Sequence, residues 1–424
     1  MSLPLTGKSD LSPERRALLQ RLLKQQGITA SEPEKRLVQR DEVDSAPLSF
    51  AQQRVWFLHQ LEPSSSNFHM LDALRLRGVL SIDALENSLN EILTRHQILR
   101  TTFPLVAGSP VQQVNPVTPL CLEPADLSSL SEEAQRQEII QTIRIDKGTP
   151  FDLTRGPLLR TYCFRTGSEE HVLLLSFHHI VADAWSMGIF SHELSVLYEA
   201  FVNGEASPLP ALKRQYADFA SWQQERLQGK FLEEQLRFWV QQLANQPVPL
   251  ALPTDRPRQG QQPYQGRSRS LAFSPELSQK LSELAQREGV TMVMLMLATF
   301  QVLLARYSGG KDITVGLPVA NRTRVEFEPL LGNFVNTLVM RADLRGNPTF
   351  REFLWQVRTN ALEAYSHQDA PFEQVVEALH PARDTSRTVL FQALFTLRNA
   401  SREQTLAGLT CLPFEVEDNV LYGE

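Results

Sequence analysis

The sequence predicts a mixed α/β (α+β) fold built as two lobes, on three observations. Its 424 residues exceed the roughly 150 expected of one domain, which favours two or three domains or two large lobes. A composition of 42% apolar and 21% charged residues is ordinary for a globular chain, so a core can form without disulfide or metal staples. Stretches with helical spacing alternate with strand-like stretches. This alternation restarts after a proline- and glutamine-rich segment, Leu250 to Gly266, which marks a lobe boundary or crossover.

The first 44 residues differ from the rest. Leu11 to Gln26 reads as an amphipathic helix with Leu18, Leu19, Leu22 and Leu23 on one face, opened by Ser12-Pro13 and stopped by Gly27. A polar stretch, Ser31 to Ser45, follows as a linker. The helix is either a docking segment for a partner or a first helix packed on its own domain, because an apolar stripe must be covered by something. One lobe is expected over residues 45–225 and a second over 226–424.

In the first lobe, Ser49 is positioned to cap a helix through Leu58, Ala73 to Arg77 alternates like a strand, and Ser81 to His96 carries Leu85, Leu89, Ile92 and Leu93 on one helical face. Leu99 to Phe103 reads as a strand. Val172 to Phe177 is apolar on both faces, as in a strand covered on both sides. A helix follows from about Met187 to Phe201. In the second lobe, Ser274-Pro275 opens a helix, Thr291 to Tyr307 is a strongly apolar helix stopped by Gly309, and Phe350 to Ser366 is a third helix. Asp312 to Pro318, Asn333 to Met340 and Val389 to Leu397 read as strands.

A formal net charge of −6, with no dense Lys/Arg stripe, argues against a nucleic-acid surface and fits plain solubility. Cys121, Cys163 and Cys411 are odd in number and far apart; they read as small buried thiols in a reducing compartment, not as a disulfide framework or zinc site. The N-terminus lacks the basic-then-apolar pattern of a signal peptide, and no run of ~18 apolar residues exists. A cytoplasmic protein with no membrane contact is expected.

Chemistry concentrates where the buried strand gives way to a helix, at Ser176-Phe177-His178-His179-Ile180-Val181-Ala182-Asp183-Ala184-Trp185-Ser186. Imidazole titrates near neutral pH and is a general base. Neighbours on extended chain point to opposite sides, so one histidine of the pair faces a cavity and the other the protein. Asp183 reads equally as a helix N-cap or a carboxylate holding the turn. No further metal ligand lies near, so no metal is expected. There is no G-x-S-x-G elbow and no phosphate-cradling glycine loop, which leaves direct transfer between two bound substrates as the simplest chemistry.

The stretch His178-His179-Ile180-Val181-Ala182-Asp183 resembles the H-H-x-x-x-D core of nonribosomal peptide synthetase condensation domains. Six further motifs of that family are similar in order: Ser49 to Leu58, Arg95 to Phe103, Tyr216 to Trp222, Gly332 to Thr337 with Arg341, His367 to Glu373, and Arg383 to Arg387 with Phe391-Gln392. The resemblance spans about residues 47–398. It implies a chloramphenicol-acetyltransferase-like fold, two lobes in a V-shaped pseudo-dimer around a central tunnel.

By the same resemblance, His179 is the catalytic histidine and His178 its structural neighbour. Asp183 pairs with Arg322, Arg100 supports the site, and Ala184 and Ser186 belong to the same loop. Asn336 lines the tunnel or satisfies backbone groups; Trp222 lines the tunnel or is core, the reading given also to Trp56, Phe57, Phe103, Phe334 and Phe372. No cofactor is implied for the domain itself. Its substrates arrive on phosphopantetheine arms, the donor from an upstream carrier protein on another polypeptide and the acceptor from a downstream carrier with its adenylation domain.

Two features depart from the pattern. Ala184 and Asn321 stand where the family usually has glycine; if position 184 needs a positive φ, alanine costs on the order of 1 kcal/mol. The family also runs some tens of residues past Glu424, with Val416 to Tyr422 as the start of that ending. Alternatives within the resemblance are a free-standing acyltransferase of the same superfamily and a non-catalytic recruitment module. An epimerising relative fits the motifs less well, and a cyclising one would carry aspartate in place of His178.

Overall fold

A computed structural model describes residues 45–422 except Ser64, Ser66 and residues 246–248, 256–264, 268, 381–387, 398–404 and 415–419. The expected first helix and most of the linker lie outside the described residues.

In chain order the first elements are β1 (Ser45–Pro47), α1 (Phe50–Leu61), β2 (His69–Arg77), α2 (Ile82–Arg95), β3 (Thr101–Thr102), β4 (Leu105–Val106), β5 (Ser109–Val114), β6 (Ala125–Asp126), α3 (Glu132–Gly148), β7 (Leu159–Arg165), β8 (Glu170–His178) and α4 (Ala184–Val202). Then come α5 (Tyr216–Arg226), α6 (Gly229–Gln242), β9 (Gln265–Arg267), α7 (Pro275–Arg287), α8 (Met292–Ser308), β10 (Asp312–Val319), β11 (Asn336–Asp343), α9 (Phe350–Ser366), α10 (Phe372–Leu379), β12 (Thr410–Pro413) and β13 (Val420–Tyr422).

The sheet that positions the loop of interest has the order β12-β2-β8-β7-β6. β8 lies in its middle, antiparallel to β2 and β7. That is why it is apolar on both faces. Val172 and Leu174 pack with Ile139 and Ile143 of α3, while Phe177 meets Phe190 of α4 edge to face, centroids 5.1 Å apart. Each such fully buried side chain stabilises the sheet by about 1.5–3 kcal/mol. β12 returns late in the chain to pair Thr410–Pro413 with Arg77–Leu74 of β2.

The second half packs around α8, whose Met294, Leu295, Leu297 and Ala298 share one cluster with Val315 of β10, Met340 of β11 and Phe353 of α9. Gly309 ends α8 at φ 70, a left-handed C-cap that glycine adopts without cost. Among the described residues no single helix is long and apolar enough to cross a membrane.

Four expectations need correction. Val389 to Leu397 is not a strand: Leu390 takes φ 69, which breaks the extended run, and only an isolated bridge joins Leu394 to Gly316. Leu99 to Phe103 is mostly not a strand either, since Gln97–Arg100 is a 3-10 turn before the two residues of β3. Phe57 is not core but 57% exposed, because α1 buries the faces of Gln52, Val55 and His59 instead. Cys121 is exposed, while Cys163 is buried and all three thiols are free.

Candidate active site

β8 ends at His178, a tight turn follows with Val181 N–H donating to His178 O at 3.0 Å, and Asp183 caps α4 by accepting from Ser186 N at 2.7 Å. The two histidines separate at this point. His178 continues the strand face of Leu174 and Ser176 and is 1% exposed. Its Nδ1 accepts the Ile180 N–H at 3.2 Å, which puts the neutral ring's proton on Nε2. The rings of His59, Phe151 and Phe68 surround it, centroids 5.3, 5.7 and 6.0 Å away. Burial holds its pKa well below the usual imidazole range, and neighbouring His59, His69, His179 and Arg160 push the same way. His179 is half-buried at the turn, its N–H donating to Phe68 O at 2.8 Å.

The flank beside His178 is rich in imidazole. His69 lies opposite His178 in the β2–β8 register, and both its ring nitrogens are buried without a hydrogen-bond partner among the described residues. Burial pulls its pKa down to about 4. Beneath it, Asp146 receives Ser176 Oγ at 2.6 Å, Tyr162 Oη at 2.9 Å and Arg160 Nη1 at 3.2 Å. The Arg160 guanidinium lies over the Phe151 ring at 3.9 Å.

The flank beside Asp183 is ionic. Arg322 Nη2 donates to Asp183 Oδ1 at 3.3 Å and to Ser186 Oγ at 3.1 Å, while Nη1 donates to the carbonyls of Phe327 and Leu330, both at 2.7 Å. Both side chains are buried, 1% and 2% exposed. Burial lowers the pKa of Arg322, and Asp183 opposes that shift. The guanidinium also lies 3.8 Å over the Phe334 ring. Asp183 Oδ2 accepts the Phe334 N–H at 3.1 Å. Ser186 Oγ lies 2.8 Å from Gly332 O and accepts the Gly332 N–H at 3.1 Å. Asp183 is thus both N-cap and buried ion-pair partner, committed to holding the turn.

The remaining sequence-predicted residues fall as follows. Ala184 is the first residue of α4, exposed and without a positive φ, so the conformational cost considered for it does not arise. Asn321 does take φ 51, a region asparagine tolerates. Arg100 donates Nη1 to the Asn115 carbonyl and so ties the turn just before β3 to the residue just after β5. Asn336 is satisfied by backbone: its Nδ2 donates to Gln368 O and Ala370 O at 2.8 and 2.7 Å, and its Oδ1 accepts from Phe372 N at 3.1 Å. It also borders a cleft of about 310 Å³, open solvent included, with Arg54, Asp369 and Glu373. Trp222 packs on Phe327 at 5.2 Å and borders a neighbouring cleft. Among the described residues no group of three or more His, Cys, Asp or Glu side chains is placed to hold a metal.

No separate signal in the sequence pointed to His69 or Gln52. Gln52 Nε2 reaches the Ile180 carbonyl at 3.4 Å. Both contacts depend on register and helix placement, which lone residues in a sequence do not encode.

Residues 42–416 match the family model of the condensation domain. One of the linear gramicidin synthase proteins of Brevibacillus parabrevis is 46% identical over 376 residues, which cover 88% of this chain and 7% of that protein. Phosphinothricin tripeptide synthetase PhsC of Streptomyces viridochromogenes is 39% identical over 93% of this chain and 37% of its own length. The chain therefore spans a minor part of these relatives. Among solved structures, the X-domain from teicoplanin biosynthesis superposes with a TM-score of 0.80 at 30% identity, covering 92% of this chain and 86% of that one. The first condensation domain of the CDA synthetase gives 0.74 at 22% identity, covering 90% and 88%, a likeness of fold.

Proposed function

Because the chain belongs to the condensation-domain family of nonribosomal peptide synthetases, acyltransferases that form amide bonds, we propose that it joins a donor acyl or peptidyl thioester to the α-amine of an acceptor aminoacyl thioester. Both substrates are presented on phosphopantetheine arms of carrier proteins, the acceptor carrier working with an adenylation domain. The amine nitrogen attacks the thioester carbonyl, the C–N bond forms, the C–S bond breaks, and the amine proton ends on the departing thiol. His179 orients or deprotonates the amine, and no acyl-enzyme forms. The two lobes are assigned to residues 45–225 and 226–424, with β12 crossing back to the first sheet.

One observation carries the assignment of His179 over His178. His178 is buried, and its Nδ1 is engaged by the Ile180 amide, whereas His179 stands half-buried at the turn. His179→Ala should lower amide formation between two loaded carrier proteins by roughly 10²–10⁴-fold, the range for losing a general base. Unchanged turnover overturns the assignment.

A second reading, a recruitment module, is favoured by the likeness to the teicoplanin X-domain, which has also been solved in complex with OxyB. Partner binding by the wild-type chain, with no amide product from two loaded carriers, would establish it.

A further inference from the structure

We propose that Tyr216 is a positioning residue for His179, acting as the tie that closes a ring of hydrogen bonds around the turn. Resting on the reading of His179 as catalyst, it assigns a role to a side chain far along the chain from the turn. The ring starts at Ile180, whose carbonyl accepts from Gln52 Nε2 at 3.4 Å. Gln52 and Ser49 form a reciprocal cap on α1: Ser49 N–H donates to Gln52 Oε1 and Gln52 N–H to Ser49 Oγ, both at 3.1 Å. Ser49 Oγ lies 2.7 Å from Tyr216 Oη, and the Tyr216 hydroxyl donates to the Asn333 carbonyl. That carbonyl accepts the tyrosine proton, so the Ser49 hydroxyl must donate to Tyr216. From the Gln52 N–H to the Asn333 carbonyl the bonds run in one sense as a polarising chain, while Gln52 Nε2 donates the other way, to Ile180. The next residue, Phe334, donates its N–H to Asp183 Oδ2 at 3.1 Å. Both ends of the ring are therefore on the turn, one just after His179 and the other at the cap of α4.

The ring of Tyr216 completes the tie. It is buried, meets Phe334 edge to face with centroids 4.8 Å apart, and lies against Gly332. A Cβ added at position 332 would stand 1.9 Å from Tyr216 Cδ2, and φ there is +149. Gly332 in turn exchanges hydrogen bonds with Ser186. One side chain of α5 thus fixes the cap of α1 and the 332–334 segment against each other, and both grip the turn.

Tyr216→Phe keeps the ring and removes only the hydroxyl. Amide hydrogen exchange should quicken about tenfold in the 179–186 and 332–336 segments, the effect of one net hydrogen bond, with α8 unchanged. With two loaded carriers, kcat should fall about tenfold while KM moves less than about twofold, as for an interaction made in the transition state alone. Ser49→Ala, which opens the same ring elsewhere, should give the same local exchange and kcat loss, and the double variant should be no worse than either single one. Should Tyr216→Phe fail to fold, Ser49→Ala carries the same readouts. Wild-type exchange and kcat in the variants, or losses that multiply in the double variant, overturn the tie. Full activity of His179→Ala beside quickened exchange in Tyr216→Phe overturns the catalytic reading and leaves the tie standing.

Discussion

The two flanks of the His178–Asp183 turn are held by opposite kinds of chemistry. On the strand side, His178 sits among His59, His69, Phe68 and Phe151, and burial pushes the pKa of each of these imidazoles down, favouring the neutral form. On the helix side, Asp183 and Arg322 form a buried pair whose remaining polar atoms mostly go to Ser186, Phe334 and two carbonyls. Neutral packing tolerates small losses but not added charge. A buried pair tolerates neither partner's removal, since the survivor stays desolvated and unmatched. His179 stands between a flank that must stay uncharged and one that must stay charged.

The contrast breaks most sharply on the ionic side. Arg322→Met should cost about 3–5 kcal/mol by stranding the Asp183 carboxylate, a large part of the 5–15 kcal/mol typical of a folded domain. Urea unfolding at pH 7 reads this directly, and a loss below about 1 kcal/mol would mean the pair is not a structural charge.

Acid should break the neutral side. His69 titrates at about 4 when folded and at its ordinary 6.5 when unfolded. As pH falls, the unfolded chain takes up this proton first. The contribution is complete above about 6.5 and is lost between 6.5 and 4, up to about 3 kcal/mol. Unfolding midpoints across that window should fall for the wild type and fall less steeply for His69→Leu, the rest of the slope belonging to His178 and His59; parallel slopes would contradict the neutral flank.

The smallest effect belongs to Ala184. As an exposed first helical residue in ordinary backbone, its change to glycine should lower stability by less than about 1 kcal/mol. A stabilisation measured by thermal unfolding would show that the alanine is strained after all.

Much of the site was legible before the fold, for local reasons. The apolar run ending in His178-His179 and the cap at Asp183 are written in consecutive residues, as is α9, opened by the Thr349–Glu352 capping box. Arg322 came only through likeness to a family, since nothing local links it to Asp183 across 139 positions. His69 opposite His178, Gln52 on Ile180 and Tyr216 on Gly332 needed register and packing, which a single sequence does not carry. The strand expected at Val389 to Leu397 failed because Leu390 adopts a left-handed backbone that an apolar pattern gives no reason to expect.

The late return of β12 has a consequence for synthesis. β2 and β8 leave the ribosome early, yet the strand covering the outer edge of β2 is Thr410–Pro413, roughly 230 residues after His178. At about 5–20 residues per second, that edge waits on the order of ten to fifty seconds for its partner. Unpaired edges invite pairing with other chains, so the nascent protein is most exposed to aggregation while its second half is still being made.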